Sequence, residues 1–360
     1  MEKDCSAFPS LGIIIPVGKS DIFIEEFLSG YLQSIGFYKG IIHTVIVCNN
    51  SSEVCVGKIK RYESEEFKVY NIGTCEHGIS KARNFGLKKM PKKIDYIGFL
   101  DDDDCYIASS LKKIEVSLNT KADIICFGWN ERFLSGTETV YKALPRNSII
   151  SRDNLYEQDL SQYLKLPRNM PYLGYCWGKF FKKDLISNNF IFFDETISTF
   201  EDVLFLMKAI SCSKQILFVD KPLLCQNFII KPRDNKASYA GHSLERGLGF
   251  IEVAKFLEKN VSFNVLLSNF DKSSLLTRYC GYLFYFNILR AARQVLFDQA
   301  HSFFLNARRC LLNLDQHFKQ VNYQVVSGTG ESLLVGFLHR HRMWSLAIIL
   351  CMLKAKRIEK

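Results

Sequence analysis

Apolar residues recur along this chain in two rhythms. Short unbroken runs, such as Leu11–Val17 with Pro16 and Gly18 at its end, lack polar alternation and predict strands buried on both faces. Between them, apolar residues three and four apart predict amphipathic helices. Ile24, Phe27, Leu28, Tyr31, Leu32 and Ile35 share one face of a helix over 21–37. The same rules predict strands at 44–48, 67–72, 96–100 and 122–129, and helices at 79–89 and 110–118. Asn49-Asn50-Ser51-Ser52, after the second strand, is turn chemistry and a helix cap.

Strands that alternate with helices in this way predict an α/β fold whose mostly parallel sheet is covered on both faces. Ligands of such sheets sit in the crevice beyond the carboxyl ends of the strands. That rule sets Val17-Gly18, Asn49-Asn50 and Asp101-Asp102-Asp103-Asp104 along one edge. Residues 130–240 predict a mixed region that builds the other wall. It comprises a hairpin arm at 139–144, an irregular stretch at 167–175 and a helix at 177–186. A second helix at 201–210 follows a Ser198-Thr199 cap, and strands fall at 216–219 and 223–228. From about residue 241 the pattern is helical and aromatic, so the expected organisation is a catalytic domain over 1–240 and a helical extension over 241–360.

Composition narrows the class. The chain has 360 residues, 48% hydrophobic and 23% charged, as a folded globular protein does. Its net charge of +10 suits nucleic acid, an anionic membrane or phosphorylated substrates. No nucleic-acid module or basic stripe with interleaved aromatics is present, so nucleic acid is not an expected partner. The 12 cysteines are scattered without a CxxC pair, which predicts reduced, buried thiols and no structural zinc. No apolar h-region follows Met1, and the longest apolar stretches reach half of the roughly 20 residues a spanning helix needs. The expected location is cytoplasmic.

Candidate chemistry gathers at three places. The run Phe99-Leu100-Asp101-Asp102-Asp103-Asp104 crowds four carboxylates at the end of a buried strand, where a shared cation would relieve their repulsion. On an extended backbone Asp101 and Asp103 would point together, with Asp102 and Asp104 opposed. Such a pair suits Mg²⁺ or Mn²⁺ with phosphate oxygens and waters completing the shell. About 100 residues later Glu201-Asp202 opens a helix, either as dipole-favoured acids of a first turn or as a general base facing the metal site. The third place is the helix start Gly78-Ile79-Ser80-Lys81-Ala82-Arg83, where Arg83 or Lys81 suits a diphosphate.

Six motifs in order resemble the family 2 glycosyltransferases, which have the GT-A fold. They are Gly12-Ile13-Ile14-Ile15-Pro16-Val17, Val45-Ile46-Val47-Cys48-Asn49-Asn50-Ser51-Ser52, the helix start from Gly78 to Leu87, Gly98-Phe99-Leu100-Asp101-Asp102-Asp103-Asp104, Trp177-Gly178-Lys179-Phe180-Phe181-Lys182-Lys183 and Phe200-Glu201-Asp202-Val203-Leu204-Phe205. The resemblance covers about residues 10–240. It implies metal-dependent, inverting transfer of a sugar from a nucleotide-sugar donor to a saccharide or lipid-linked saccharide acceptor, in surface-glycan synthesis. It further implies that Asp103 ligates the metal and that Asp101 or Asp102 holds the ribose or assists at the metal. Asp202 would be the catalytic base with Glu201 beside it. Pro16, Val17, Asn49 and Arg83 would lie on the nucleotide side, and Trp177 and Glu201 would shape the sugar or acceptor pocket.

Two positions depart from the family's pattern. Val17-Gly18 stands where relatives often carry an aromatic and an Asn, and Asn49 stands where they often have Asp. An amide both donates and accepts, so base binding is retained without a fixed preference for uridine. A catalytically silent relative serving a glycan-assembly complex is the alternative function. Intact Asp103 and Asp202 argue against it. A nucleotidylyltransferase would need a Gly-rich loop after the first strand, and Val17-Gly18-Lys19-Ser20 supplies one Gly. At the C-terminus, the apolar stretch 343–353 lies among six basic residues and one acid, Glu359, over 340–360. This make-up fits either an interfacial helix on the inner membrane surface or a helix docked on its own domain.

Overall fold

The computed structural model describes residues 8–18, 23–74, 78–112, 114–132, 138–141, 148–151, 175–197, 200–227, 300–317 and 343–357, with 252, 253, 255, 256 and 259. The chain divides into two compact units. One comprises Met1–Glu157, Arg168–Thr196 and Glu201–Pro232, the other Gln158–Pro167, Ile197–Phe200 and Arg233–Lys360.

The first unit is built on strands β1 (Leu11–Val17), β2 (Ile42–Cys48), β3 (Phe67–Asn71) and β4 (Tyr96–Phe99), joined through helices α1 (Ile24–Ile35), α2 (Glu53–Lys60) and α3 (Gly78–Lys89). These four strands pair in parallel in the order β3-β2-β1-β4. Every residue of β1 is buried, which is why its sequence is a run rather than an alternation. α1 turns Ile24, Phe27, Leu28 and Tyr31 inward, and Ser52 caps α2 by accepting from the Cys55 N–H at 3.1 Å. α3 lies so close to β1 that a Cβ at Gly86 would come within 2.5 Å of Ile14 Cγ2. Gly is the residue that permits this approach.

Beyond β4 the chain adds β5 (Cys105–Tyr106), two single-turn helices α4 (Ala108–Leu111) and α5 (Glu115–Leu118), then β6 (Ile124–Arg132), β7 (Glu138–Tyr141) and β8 (Ser148–Ser151). β9 (Lys179–Lys182) leads directly into α6 (Lys183–Asn188), followed by α7 (Glu201–Cys212) and β10 (Gln215–Asn227). Among the described residues the sheet has ten strands in the order β3-β2-β1-β4-β9-β6-β10-β5, with β7 on β6 and β8 on β10. β9 runs antiparallel to both β4 and β6, whereas β6 and β10 are parallel, so the sheet is mixed.

Three expectations change here. The predicted helix at 177–186 is instead β9 followed by α6. Phe180 and Phe181 are both fully buried and, as neighbours on a strand, serve opposite faces. Phe180 meets Phe127 at 6.1 Å, and Phe181 meets Phe205 at 5.4 Å. A strand buried on both sides shows no alternation, and its direct continuation into a helix hides the boundary. The predicted helix at 110–118 is the separate turns α4 and α5. The predicted pair of strands at 216–219 and 223–228 is one strand, β10, whose register shifts around Pro222. Proline lacks the ladder N–H and forces that irregularity.

The hairpin arm is present as β7 paired antiparallel with β6. The Ser198-Thr199 cap and nearly all of 167–175 fall outside the described residues. In the other unit the described helices are α8 (Ala300–His317) and α9 (Trp344–Arg357). Among the described residues no helix is long and apolar enough to cross a membrane.

Candidate active site

The strand ends converge as the sheet rule requires. The Asn49 N–H donates to the Val17 carbonyl at 2.9 Å, and Ser51 Oγ donates to the carbonyls of Val17 and Gly18 at 3.1 and 2.9 Å. The Gly18 N–H donates to Asp102 Oδ2 at 3.2 Å, so the ends of β1, β2 and β4 are tied together. Pro16 and Val17 have buried side chains, and it is the Val17 carbonyl that meets the β2 end. Asn49 is half-buried against the first residue of α3. A Cβ at Gly78 would fall 1.5 Å from Asn49 Nδ2.

The acidic run is a turn, not a continued strand. The Asp104 N–H donates to the Asp101 carbonyl at 3.1 Å, which closes a four-residue turn. The alternation expected of an extended backbone therefore does not hold. Carboxylate oxygens of Asp101, Asp103 and Asp104 all lie within 4.8 Å of one another, while Asp102 turns to Gly18. Three convergent hard oxygen donors suit a divalent cation such as Mg²⁺ or Mn²⁺. Burial, with the charges of Asp103 and Asp202, pushes the Asp101 carboxyl up to about 6 against the pull of Arg83.

Arg83 joins the two walls of the site. Projecting from α3 with 1% exposure, it donates from Nη2 to Asp101 Oδ1 at 3.0 Å. From Nη1 it donates to Glu201 Oε1 at 3.3 Å and, by a shorter contact, to Asp202 Oδ1. Its guanidinium carbon sits 5.2 Å from the centre of the Phe193 ring. Burial opposes the charge on Arg83, but Asp202, Asp101 and Glu201 together outweigh it and hold the group well above its ordinary value. Burial, and then the adjacent Asp202, push the Glu201 carboxyl up.

The sequence motifs left several neighbours without a role. Asn84 donates to the Phe193 carbonyl at 2.9 Å and to Glu195 Oε1 at 2.8 Å, and accepts from the Phe193 N–H at 2.9 Å. This hook fixes the segment before α7 to α3. Phe193 in turn stacks on Phe205 of α7 at 4.1 Å. Cys176 is buried within reach of the same charges, and burial first of all drives its thiol well above the ordinary range. Lys179 is buried and donates to the Tyr175 carbonyl at 2.6 Å, with burial holding its ammonium below its usual value. The available signal was a polar side chain at a core position, as at Asn84 and Lys179.

Trp177 is buried at 3% exposure, edge-on to Trp129 at 5.2 Å, while Tyr175 stacks over it at 4.5 Å. Tyr175, at 37%, is the exposed ring of this cluster. The structure thus brings Arg83, Asp101, Glu201 and Asp202 into direct contact, with Asp102 and Asp103 in the adjoining turn. Trp177 belongs to the packed wall.

Several known proteins are similar to this chain. The model of Glycosyl transferase family 2 matches residues 13–183. Among curated proteins, the chain is 26% identical over 205 residues to the uncharacterized glycosyltransferase EpsJ of Bacillus subtilis, a stretch covering 56% of each protein. It is 26% identical over 197 residues to the minor teichoic acid biosynthesis protein GgaA of B. subtilis, covering 54% of this chain and 41% of the other. It is 24% identical over 203 residues to the poly(ribitol-phosphate) beta-N-acetylglucosaminyltransferase TarS of Staphylococcus aureus, covering 55% of this chain and 32% of that protein. The matches thus span about half or less of those relatives. The crystal structure of S. aureus TarS 1–349 in complex with UDP-GlcNAc is similar with a TM-score of 0.67 at 15% identity, over 97% of this chain and 92% of that one. A likeness at this identity speaks for the GT-A-like fold.

Proposed function

Since the chain belongs to glycosyl transferase family 2, we propose that it transfers a sugar from a nucleotide-sugar donor to a hydroxyl of a saccharide acceptor, with inversion at the anomeric carbon. The observation that supports this most is the placement of Asp202 at the start of α7, opposite the strand-end cluster of Asp101, Asp103 and Asp104. Residues 1–240 are assigned to catalysis in this reading and 241–360 to a helical extension.

Asp202 takes the proton of the acceptor hydroxyl. The acceptor oxygen then forms its bond to the anomeric carbon from the face opposite the nucleotide. The bond from that carbon to the phosphate oxygen breaks, and its electron pair leaves with the nucleoside diphosphate. Asp103, with Asp101 and Asp104 beside it, would hold Mg²⁺ or Mn²⁺, and the cation, when bound, neutralises charge on the diphosphate. Asp102, by ordering Gly18, and Asn49, at the α3 start, shape the nucleotide side. Tyr175 and Trp177 wall the sugar or acceptor side. The acceptors that fit are saccharides or lipid-linked saccharides of a cell-surface glycan.

A location against the inner face of the membrane goes with a lipid-linked acceptor. α9 exposes Leu346, Ile349 and Leu353 while burying Ala347 and Ile348, and its sequence lies among basic residues that complement anionic headgroups. Sedimentation with phosphatidylglycerol vesicles, against phosphatidylcholine alone, tests this part.

Thermal unfolding of the purified chain with Mn²⁺ and each of UDP, GDP, CMP and dTDP tests the main reading. At least one nucleotide should stabilise the protein in a metal-dependent way. No stabilisation by any of them would contradict it.

A further inference from the structure

Arg83 is the group through which the two halves of the site touch. Its position on α3 and the family resemblance suggest a diphosphate ligand, but three of its five N–H groups are already directed elsewhere. Nη2 faces Asp101 at the end of β4, and Nη1 faces Glu201 and Asp202 at the start of α7. These partners lie 18, 118 and 119 residues away in sequence. The guanidinium is 1% exposed, and a charge buried that deeply is strongly destabilised if it loses its partners. Its remaining nitrogen, Nε, has no hydrogen-bond partner among the described residues. Reaching outward to a phosphate would cost Arg83 an internal contact.

The surroundings hold it in place. Phe193 covers one side at 5.2 Å, and Phe193 is itself locked by the paired hydrogen bonds with Asn84, the next residue on α3. A planar fork presents two nitrogens at a fixed angle to two carboxylates, which an ammonium cannot do.

We propose that Arg83 is a positioning residue, which holds the carboxylate of Asp202 at a set distance from the strand-end carboxylate of Asp101 and so aligns acceptor with donor. This rests on Asp202 being the proton acceptor, as argued above. Loss of the link lets α7 and the strand end drift apart. Misplacement on the order of 1 Å costs about 10²-fold in rate without removing any contact to the donor.

The test is steady-state kinetics and nucleotide binding on the full chain. With the best donor, Arg83→Gln and Arg83→Lys should lower kcat by about 10²-fold and change the donor KM by less than about 3-fold. Titration with Mn²⁺ and the nucleoside diphosphate should give an affinity close to that of the parent. Added guanidinium ion should restore part of the kcat of Arg83→Ala. Asn84→Ala, which keeps Arg83 but frees Phe193, should lower kcat in the same direction by a smaller factor. It decides the matter where the Arg83 variants fail to fold. A fall in nucleotide affinity of about 10-fold or more in the Arg83 variants, with kcat kept, would overturn the proposal in favour of a donor ligand. An Asn84→Ala chain with the parent's kcat would also count against it. A parent chain inactive with every donor would instead defeat the transferase reading.

Discussion

The half of the sheet built from β1 to β4 and the half built from β6, β9 and β10 are assembled by different routes. In the first, the four strands run parallel to one another and the first three are each followed by a helix, so sequence order and spatial order stay close. In the second, β9 is inserted antiparallel between β4 and β6, long after both in sequence. The first half contributes Arg83 and the acidic turn, and the second contributes Glu201 and Asp202. A regular βα frame supplies Arg83 and the acidic turn, and an interrupted, later-joined frame carries Glu201 and Asp202 to them.

Substitutions can separate these contributions. The largest expected effect is at the acidic turn: Asp103→Asn should abolish metal-dependent nucleotide binding, read as loss of the Mn²⁺-dependent shift in thermal unfolding. A retained shift would move the metal site away from the strand end. Next, Phe181→Ala should destabilise the fold by about 3–5 kcal/mol, since a fully buried ring at the junction of β9 with β4 and α7 is lost. Denaturant unfolding measures this, and a cost under about 1 kcal/mol would show that the inserted strand does not carry the core of its half.

A smaller effect is expected at Gly78→Ala, where the added Cβ collides with the Asn49 amide. Nucleotide affinity should fall several-fold while the pH dependence of transfer stays fixed; calorimetry checks the first and initial rates the second. The smallest effect concerns protons. Because Asp101 is held up at about 6, a cation competes there with a proton. Mn²⁺ affinity should therefore rise as pH increases from about 5 to about 7, and this slope should flatten in Asp101→Asn. A slope unchanged by that substitution would remove Asp101 from the cation's surroundings.

Legibility in the sequence follows the same division. β1 is predicted residue for residue, and α3 to within one residue, because apolar runs and a helical face survive intact when each element meets one kind of neighbour. β9 is hidden because Phe180 and Phe181 are buried on opposite faces and no turn separates the strand from α6. β10 is read as two pieces because Pro222 bulges a strand that remains continuous. At the site, the acidic run and the Glu201-Asp202 helix start are visible in the sequence, and the family resemblance singles out Asp103 and Asp202 within them, but the i to i+3 turn that turns Asp102 towards Gly18 is a backbone event that alternation cannot anticipate. The bonds from Arg83 to Asp101, Glu201 and Asp202 link residues from both halves, and no local pattern encodes them.

The central claim is that Asp202 takes the acceptor proton at a donor site assembled by the other half. Its most direct test is a paired measurement on Asp202→Asn: nucleotide binding with Mn²⁺ by calorimetry and sugar transfer by initial rate. Binding should stay within about 2-fold of the parent while transfer falls by about 10³-fold or more, as loss of a general base requires. Loss of binding together with transfer, or transfer at the parent's rate, would contradict the claim.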